Sequence, residues 1–312
     1  MQIVETRDLT KKFNGRKAVD RLNLTIEKGE LFGLLGPNGA GKSTTVAMLS
    51  TILEPTQGTA IVGGHDIKKH PKEVRKLIGV VPQEGSIYDD LTAMENLMYF
   101  GKLHGVEVKK LRKRSAELLE LVQLKNRTKD RIKTFSGGMK HRLNLIVGLV
   151  HEPRLLFLDE PTTGLDPAAR LLVWEFIKQL QNQGITIFLT THYMDEADYL
   201  CDRVAIMDRG KIIAIGTPTE LKRSIGKLEA IEIKTAKKAP DTFLAKARKL
   251  RGIKKVGRIP EGLRLLTPDA DTLLAQVSRL ASETGVHIVS LNIAQPTLED
   301  VFIKLTGKML RD

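Results

Sequence analysis

A glycine-rich segment near the start of the chain has the residue types and spacing of a phosphate-binding loop. Residues 36–44 read Gly-Pro-Asn-Gly-Ala-Gly-Lys-Ser-Thr and fit the pattern G-x-x-x-x-G-K-[ST]. Glycines let the backbone curl so that its N–H groups point at phosphate oxygens, and a following helix adds its positive dipole end. Lys42 is predicted to reach the β- and γ-phosphates, and the Ser43 hydroxyl to bind Mg²⁺. The predicted nucleotide-binding residues are Gly36, Asn38, Gly39, Ala40, Gly41, Lys42, Ser43 and Thr44.

Two adjacent carboxylates supply the second part of a predicted triphosphate site. Leu155 to Leu158 form an apolar run typical of a buried strand, and Asp159 and Glu160 follow it directly. Ligands of α/β sheets bind at the carboxyl ends of strands. Asp159 is predicted to hold Mg²⁺, and Glu160 to polarise the attacking water as general base. The alternative is an acidic helix cap. Two adjacent carboxylates after four apolar residues are less common as a cap than as a metal site.

A Ser-Gly-Gly sequence precedes a long predicted helix and offers a second anion site. Ser136, Gly137 and Gly138 combine a hydroxyl with exposed N–H groups at the start of that helix. A chain with one phosphate loop has a use for this turn if two copies face each other and each turn closes over the other's nucleotide. Taken alone the signal is weak, and an ordinary loop leading into a helix is the default.

These motifs need a sheet and helices to position them. Residues 1 to about 220 alternate β-rich runs with amphipathic stretches, which predicts an α/β domain on a largely parallel sheet. The predicted strands and helices nearest the motifs are strands 30–35, 155–158 and 185–190 and helices 137–151 and 167–182.

The character of the sequence changes between Ser224 and Lys227. The elements that follow are predicted in the order βαββαβ, which is typical of a small ferredoxin-like α+β domain. They are strands at 229–234, 253–259, 262–267 and 286–293, helices at 241–251 and 269–283, and a closing helix at 297–305.

Composition fits a globular chain of about two domains. The 312 residues are 41% hydrophobic and 28% charged, which excludes a disordered chain. The longest uncharged stretch, Gln179 to Met194, is broken by polar residues and is not expected to span a membrane. The first ten residues lack the apolar core of a signal peptide. The single cysteine, Cys201, fits a reducing compartment and is interpreted as a small buried hydrophobe rather than a nucleophile.

Positive charge is concentrated in the second half of the chain. Residues 222–258 contain thirteen basic and three acidic residues, which accounts for +10 of the formal net charge of +13. Such a segment could bind nucleic acid, lie near anionic lipid, or be a solvated surface. Phe243 is its only aromatic residue, so it lacks the stacking residues that single-strand binders use.

Taken in order, the motifs resemble those of the ATP-binding subunit of an ATP-binding cassette (ABC) transporter, and in particular the daunorubicin-resistance type of exporter ATPase. The resemblance covers essentially the whole chain. The segments that carry it are 36–44, 80–84, 136–138, 155–161, 164–166, 190–197, and the tail 295–302 with 305–307. It implies a P-loop ABC ATPase domain at 1–223, with a helical subdomain at about 85–150, and a C-terminal accessory domain at 224–312.

The resemblance assigns roles to four further residues. Phe13 matches the aromatic residue that stacks on adenine, with a core residue as the alternative reading. Gln83 matches a residue that binds Mg²⁺ and senses the nucleotide. His192 matches the residue that donates to the γ-phosphate and positions the base and the water. Asp166 is expected at the dimer seam. All four expectations come from the family pattern.

Two positions depart from the wider superfamily pattern. Phe135 precedes Ser136 where Leu is frequent, and Met139 follows Gly138 where Gln is frequent. Met139 is also found in the daunorubicin-resistance subgroup, so it favours that assignment over a generic importer. It removes an amide that could contact ribose, and this contact is therefore not expected.

The resemblance implies an ATPase that binds ATP and Mg²⁺ and powers a separate transmembrane permease. Two copies are expected to sandwich ATP as a homodimer at the cytoplasmic side of the membrane, with residues 84–100 meeting the permease. Export of drugs or other hydrophobic solutes is the expected activity. The alternative is an ABC ATPase acting on nucleic acid or ribosomes. It is disfavoured because such proteins usually carry two cassettes or a coiled-coil insertion.

Overall fold

The computed structural model describes residues 1–224, 229–236, 239–259, 262–294 and 296–307. Its contacts divide the chain into two units, Met1–Ile212 and Ile213–Asp312. The domain boundary predicted from the sequence, 223/224, falls after this division and stays a prediction. Gln295 of the tail motif lies outside the described residues, as do Lys227, Lys237 and Lys238 of the basic segment.

The first unit contains two sheets and the helices around them. Its strands are β1 (Gln2–Phe13), β2 (Arg16–Leu22), β3 (Thr25–Glu27), β4 (Leu31–Leu35), β5 (Gln57–Val62), β6 (His65–Asp66), β7 (Ile78–Val81), β8 (Leu155–Asp159), β9 (Thr186–Thr191) and β10 (Arg203–Asp208), with β11 (Lys211–Gly216) running across the division. Its helices are α1 (Lys42–Leu49), α2 (Pro71–Leu77), α3 (Ala93–Leu103), α4 (Val108–Leu121), α5 (Gly137–Val147), α6 (Pro167–Asn182) and α7 (Met194–Leu200).

The larger sheet has the strand order β11-β10-β4-β9-β8-β7, and the four pairs from β10 to β7 are parallel. All five residues of β4 are buried, as expected for a central parallel strand covered on both faces. This confirms the predicted α/β fold class. The first unit also contains a second sheet that was not predicted from the sequence. In it β1 pairs antiparallel with β2, β3 and β5, and β5 pairs antiparallel with β6.

The order of the strands sets the place of the site. β4, β9 and β8 are neighbours in the larger sheet, and all three run in the same direction. Their carboxyl ends therefore lie side by side, and a different predicted motif follows each end. Between β7 and β8 lie the helices α3, α4 and α5, two short 3₁₀ helices at Lys125–Arg127 and Ile132–Thr134, and one isolated antiparallel bridge between Thr92 and Arg131.

The second unit contains one antiparallel sheet. Its strands are β12 (Glu229–Thr235), β13 (Lys255–Ile259), β14 (Gly262–Thr267) and β15 (Ile288–Ala294), and its helices are α8 (Pro218–Ser224), α9 (Asp241–Ala247), α10 (Ala270–Thr284) and α11 (Leu298–Thr306). From β12 to β15 the elements follow one another along the chain in the predicted order βαββαβ. In the sheet the strands lie in the order β13-β14-β12-β15. α10 begins at the cap residue Asp269 and ends at Gly285, whose φ of 67° suits glycine. Among the described residues, no helix combines the length and the apolar character that a membrane span requires.

A buried ion pair joins the sheet of the second unit to α11. Arg264 on β14 donates from two of its nitrogens to Asp300, at 2.7 and 2.8 Å, and Asp300 also accepts from the backbone N–H of Thr297. Asp300→Ala is expected to destabilise this unit by about 3 kcal/mol, because it removes two charge-assisted hydrogen bonds from the buried guanidinium of Arg264, which keeps its pair with Glu232. Denaturant unfolding measures the loss. Asp241→Ala is the control, since Asp241 is 93% exposed in its pair with Arg258 and should change stability by less than about 1 kcal/mol. Equal losses for both variants would contradict the expectation.

Candidate functional site: a phosphate loop and the carboxylates beside it

The segment predicted to bind phosphate, 36–44, connects the end of β4 to the start of α1. Gly39 and Gly41 have φ values of 78° and 110°, in the region that favours glycine. A Cβ atom on Gly41 would lie 2.4 Å from the carbonyl oxygen of Ala18, so a larger residue does not fit there. The loop therefore has the curled backbone that a cradle of N–H groups requires.

Lys42 holds a buried positive charge at this loop. Its side chain is 4% exposed. Its ammonium donates to the carbonyl oxygens of Gly36 at 2.8 Å and Pro37 at 3.2 Å. It also pairs with Oε1 of Glu160 at 2.9 Å. The ammonium is thus fixed where a cation can bind phosphate oxygens.

Three residues are predicted to bind Mg²⁺, namely Ser43, Gln83 and Asp159. Two of them, Ser43 and Asp159, are in contact. The Ser43 hydroxyl donates to Oδ1 of Asp159 at 3.2 Å. The hydroxyl of Thr190, at the end of β9, donates to the same oxygen. Mg²⁺ is usually bound through one or two carboxylates together with substrate phosphates. A hydroxyl and a carboxylate beside a phosphate loop therefore fit this ion.

Lys42, Ser43, Asp159, Glu160 and His192 form a cluster of side chains beside the loop. Glu160 follows β8 directly and lies at the centre of this cluster. Its φ of 50° is uncommon for a residue other than glycine, and its backbone N–H donates to the carbonyl and hydroxyl oxygens of Thr190. Its side chain is 6% exposed. Oε1 faces Lys42, and Oε2 accepts from the Thr163 hydroxyl at 3.2 Å and lies 2.9 Å from Nδ1 of His192. The predicted base is thus held by groups from three segments.

The surroundings of Glu160 keep its carboxylate charged. Burial raises its pKa because it disfavours the ionised form. The hydrogen bond and the positive charge of Lys42, together with His192 and Thr163, outweigh this and hold the pKa of Glu160 below its ordinary value. The carboxylate is therefore ionised at neutral pH, as a proton acceptor must be.

His192 is oriented by a row of neighbouring side chains. Its ring lies against that of Tyr193, with ring centroids 4.1 Å apart. The guanidinium of Arg170 lies 4.2 Å from the centroid of the Tyr193 ring and also pairs with Asp195 at 3.4 Å. These contacts fix the imidazole beside Glu160.

The predicted second anion site lies apart from this cluster. Ser136 caps α5, and its hydroxyl oxygen accepts from the N–H of Met139 at 3.3 Å. Ser136 and Gly137 are exposed, and a Cβ placed on Gly137 or Gly138 would meet no atom within 4 Å. Within the described ranges, no hydrogen bond links this turn to Lys42 or to the other groups of the cluster.

Three further predicted residues are exposed and outside the cluster. Asp166 caps α6 by accepting from the N–H of Ala169 at 2.9 Å. Gln83 is exposed and lines a cavity of about 400 Å³ together with Lys140. Phe13 is the last residue of β1, its ring is 48% exposed, and the ammonium of Lys11 lies 5.3 Å from the ring centroid. In the described part of the chain none of the three has a hydrogen bond or ion pair with the cluster, and their predicted roles stay predictions.

Sequence reasoning missed several residues that support the cluster. Thr190 and Thr163 hold the two carboxylates, and a buried glutamate, Glu196, contacts Thr162 in the loop after Glu160. Their signal in the sequence is weak, since threonines at strand ends are common. The direct pairing of Lys42 with Glu160 was also not predicted.

The fold and the cluster define a P-loop nucleoside-triphosphatase. Comparison with known families is more specific: residues 19–163 match the family described as ABC transporter, and residues 216–306 match the C-terminal domain of the ATP-binding protein DrrA1-3-like family. The chain belongs to the ABC transporter ATP-binding proteins, in the DrrA-like group. This confirms the family resemblance inferred from the motifs, and members of the family hydrolyse ATP.

Curated relatives match along nearly their full length. The chain is 42% identical to the linearmycin resistance ATP-binding protein LnrL of Bacillus subtilis (strain 168), covering 99% of this chain and 100% of the relative. It is 41% identical to the daunorubicin/doxorubicin resistance ATP-binding protein DrrA of Streptomyces peucetius, covering 97% of this chain and 92% of the relative.

Solved structures agree on the fold over about 70% of the chain. An ATP-binding subunit of an ABC transporter aligns with a TM-score of 0.66 and 29% identity, over 72% of this chain and 93% of the other. A dimeric ATP-binding cassette in a post-hydrolysis state, bound to ADP and Pi, aligns with a TM-score of 0.62 and 25% identity, over 69% of this chain and 98% of the other.

Proposed function

We propose that this chain is the ATP-hydrolysing subunit of an exporter, in which two copies clasp ATP and drive a separate membrane subunit. One observation carries the proposal. A single copy brings the phosphate loop, the carboxylates of Asp159 and Glu160, and His192 into one cluster, while the Ser136–Gly138 turn lies outside it, with Ser136 and Gly137 exposed. A second copy can supply that turn.

The contacts of the cluster indicate what each residue does. The loop N–H groups and Lys42 bind the phosphates of ATP. Ser43 and Asp159, with Gln83 as predicted, would hold Mg²⁺, which neutralises phosphate charge when bound. Glu160 accepts a proton from the attacking water, and His192 donates to the γ-phosphate and keeps Glu160 in place.

The proposed dimer uses the exposed residues. The N-terminus of α5 presents free N–H groups and the positive end of an 11-residue helix, which suit the phosphates of ATP held by the partner copy. Asp166, at the start of α6, is exposed and is proposed to lie at the seam. The dimeric relative bound to ADP and Pi supports this arrangement. ATP shifts the equilibrium towards the closed dimer because it binds that state more tightly, and hydrolysis reverses the shift.

An exposed aromatic cluster supports a membrane partner. Tyr88, Tyr99 and Phe100 contact one another with ring centroids 5.2 to 6.0 Å apart, and both tyrosines are exposed. Exposed aromatic groups are typical of protein interfaces. We propose that this cluster docks on the permease and holds the chain peripherally at the cytoplasmic side of the membrane. The names of the relatives support a hydrophobic, drug-like solute.

A serine substitution tests the dimer. The test uses a Glu160→Gln chain with Mg²⁺ and ATP. Ser136→Arg is expected to weaken its dimerisation at least about 100-fold, because a long side chain enclosed between the two copies would hold the turn away from the phosphates. Light scattering after size exclusion measures the dimer. Ser282→Arg, at an exposed serine on α10, is the matched control and should leave it intact. A dimer that survives Ser136→Arg would contradict the sandwich.

A further inference from the structure

Glu196 on α7 joins three segments of the chain through one carboxylate oxygen. Its side chain is fully buried. Oε1 accepts from the Thr162 hydroxyl at 2.8 Å and from the indole N–H of Trp174 at 2.9 Å. Thr162 lies two residues after Glu160, and Trp174 lies on α6. The oxygen therefore connects α7, α6 and the loop that begins with Glu160.

The other oxygen shows that the carboxyl is kept at this position at a cost. Oε2 is buried and has no hydrogen-bond partner in the described residues. Burial raises the pKa of Glu196 above its ordinary value, by more than the hydrogen bonds from Thr191, Thr162 and Trp174 lower it. A half-satisfied buried carboxyl is unfavourable, so simple packing does not account for it.

The place of Glu196 in the chain relates it to the reacting groups. It lies four residues after His192, on the helix α7 that begins at Met194, and its hydrogen bond to Thr162 reaches the loop that carries Glu160. His192 Nδ1 and Glu160 Oε2 are 2.9 Å apart, and this distance depends on how the two segments are held. The hydrogen bond between Glu196 and Thr162 is a second connection between the segment that carries His192 and the loop that carries Glu160.

We propose that Glu196 is a positioning residue for ATP hydrolysis, which holds the Thr162 loop against α7 so that Glu160 and His192 keep their contact. The inference rests on the proposed function, since it presumes that Glu160 acts as the base. The side chain of Glu196 is fully buried, so in this proposal it acts only through these two residues. The opposing view is that Glu196 anchors α6 and α7 without effect on turnover.

Steady-state kinetics separate these views. Thr162→Val and Glu196→Met remove the tie while keeping side-chain volume. Each is expected to lower kcat at least about tenfold with KM for ATP changed less than about threefold, because small displacements of a base slow chemistry strongly. Glu196→Gln keeps the accepting oxygen and should restore kcat to within about threefold of the unsubstituted chain.

A matched threonine provides the control. Thr186 is as fully buried as Thr162 and accepts from the N–H of Gly29 at 2.9 Å, at the other end of β9. Thr186→Val should leave kcat within about twofold, whatever it does to the melting temperature. Equal kcat losses in Thr186→Val and Thr162→Val would overturn the proposal. Folded Thr162→Val and Glu196→Met chains with unchanged kcat would do the same.

A second measurement keeps this inference separate from the proposed function. Hydrogen–deuterium exchange of residues 160–166 should become at least about tenfold faster in Thr162→Val and stay unchanged in Thr186→Val. An unsubstituted chain that binds ATP without hydrolysing it would overturn the proposed function. The exchange result would still decide whether Glu196 holds the loop, and unchanged exchange in Thr162→Val would refute that. If Glu196→Met fails to fold, Thr162→Val and Glu196→Gln carry the test.

Discussion

Replacing Glu160 by Gln is expected to lower ATP turnover about 10³-fold, the range that removal of a general base produces. The amide has the size of the carboxylate and its oxygen still accepts hydrogen bonds, but it takes no proton from water at neutral pH. ATP binding should remain, because the loop and Lys42 are unchanged. Phosphate release at saturating Mg²⁺ and ATP measures the loss, and a persistent ATP-bound dimer is expected with it.

A neutral substitution elsewhere makes the result specific. Glu175→Gln changes an exposed carboxylate on α6 and should leave turnover within about twofold. Unchanged turnover in Glu160→Gln would remove Glu160 from the role of base. Lost turnover together with lost ATP binding would point to a damaged loop instead.

Lys42→Ala is expected to weaken ATP binding at least about 100-fold. The substitution removes the ammonium that binds phosphate and leaves the buried carboxylate of Glu160 without its cation, and each change costs several kcal/mol. Titration with a fluorescent ATP analogue measures the affinity. Lys42→Met, which keeps much of the side-chain volume, separates loss of charge from loss of packing.

The control for Lys42 is a lysine in an exposed pair. Lys76 pairs with Glu73 at 3.0 Å on the surface of α2, and Lys76→Ala should leave ATP affinity unchanged. ATP affinity that survives both Lys42 substitutions would contradict the predicted phosphate site.

The centre of the site was predictable because local and topological rules agree there. The loop 36–44 has a residue pattern that few other structures need, and the apolar run before Asp159 marks a parallel strand. The carboxyl ends of parallel strands lie at the same edge of the sheet, so motifs that follow two such strands come close together. The contact of Ser43 with Asp159, 116 positions apart, was therefore predictable from two short motifs. α6 was predicted to its last residue because Pro167 and the apolar period define it.

Other features escaped because their causes are not local. The antiparallel sheet of β1, β2, β3, β5 and β6 consists of half-buried strands whose pairing depends on distant partners. Glu196 reads as a surface residue of a short helix, since nothing nearby announces Thr162 or Trp174 as its partners. The pairing of Lys42 with Glu160 depends on a backbone conformation with φ of 50°, which sequence patterns do not specify.

The residues predicted to act between copies form a third group. Ser136, Gly138 and Asp166 have no hydrogen bond or ion pair with the cluster in the described part of one chain, and the exposure of Ser136 and Asp166 is consistent with a shared site. The family pattern identified them because it reflects the whole assembly. Whether Ser136→Arg prevents dimerisation therefore tests the predicted role of these residues.

The ion pair between Lys42 and Glu160 joins the proposed base to the cation that is proposed to bind phosphate. Phosphate oxygens that reach Lys42 compete with the Glu160 carboxylate for the same ammonium. We therefore expect substrate entry to loosen the pair and free the carboxylate for water in one event. The reactivity of Glu160 would then depend on occupancy of the loop, so that cleavage follows the arrival of nucleotide.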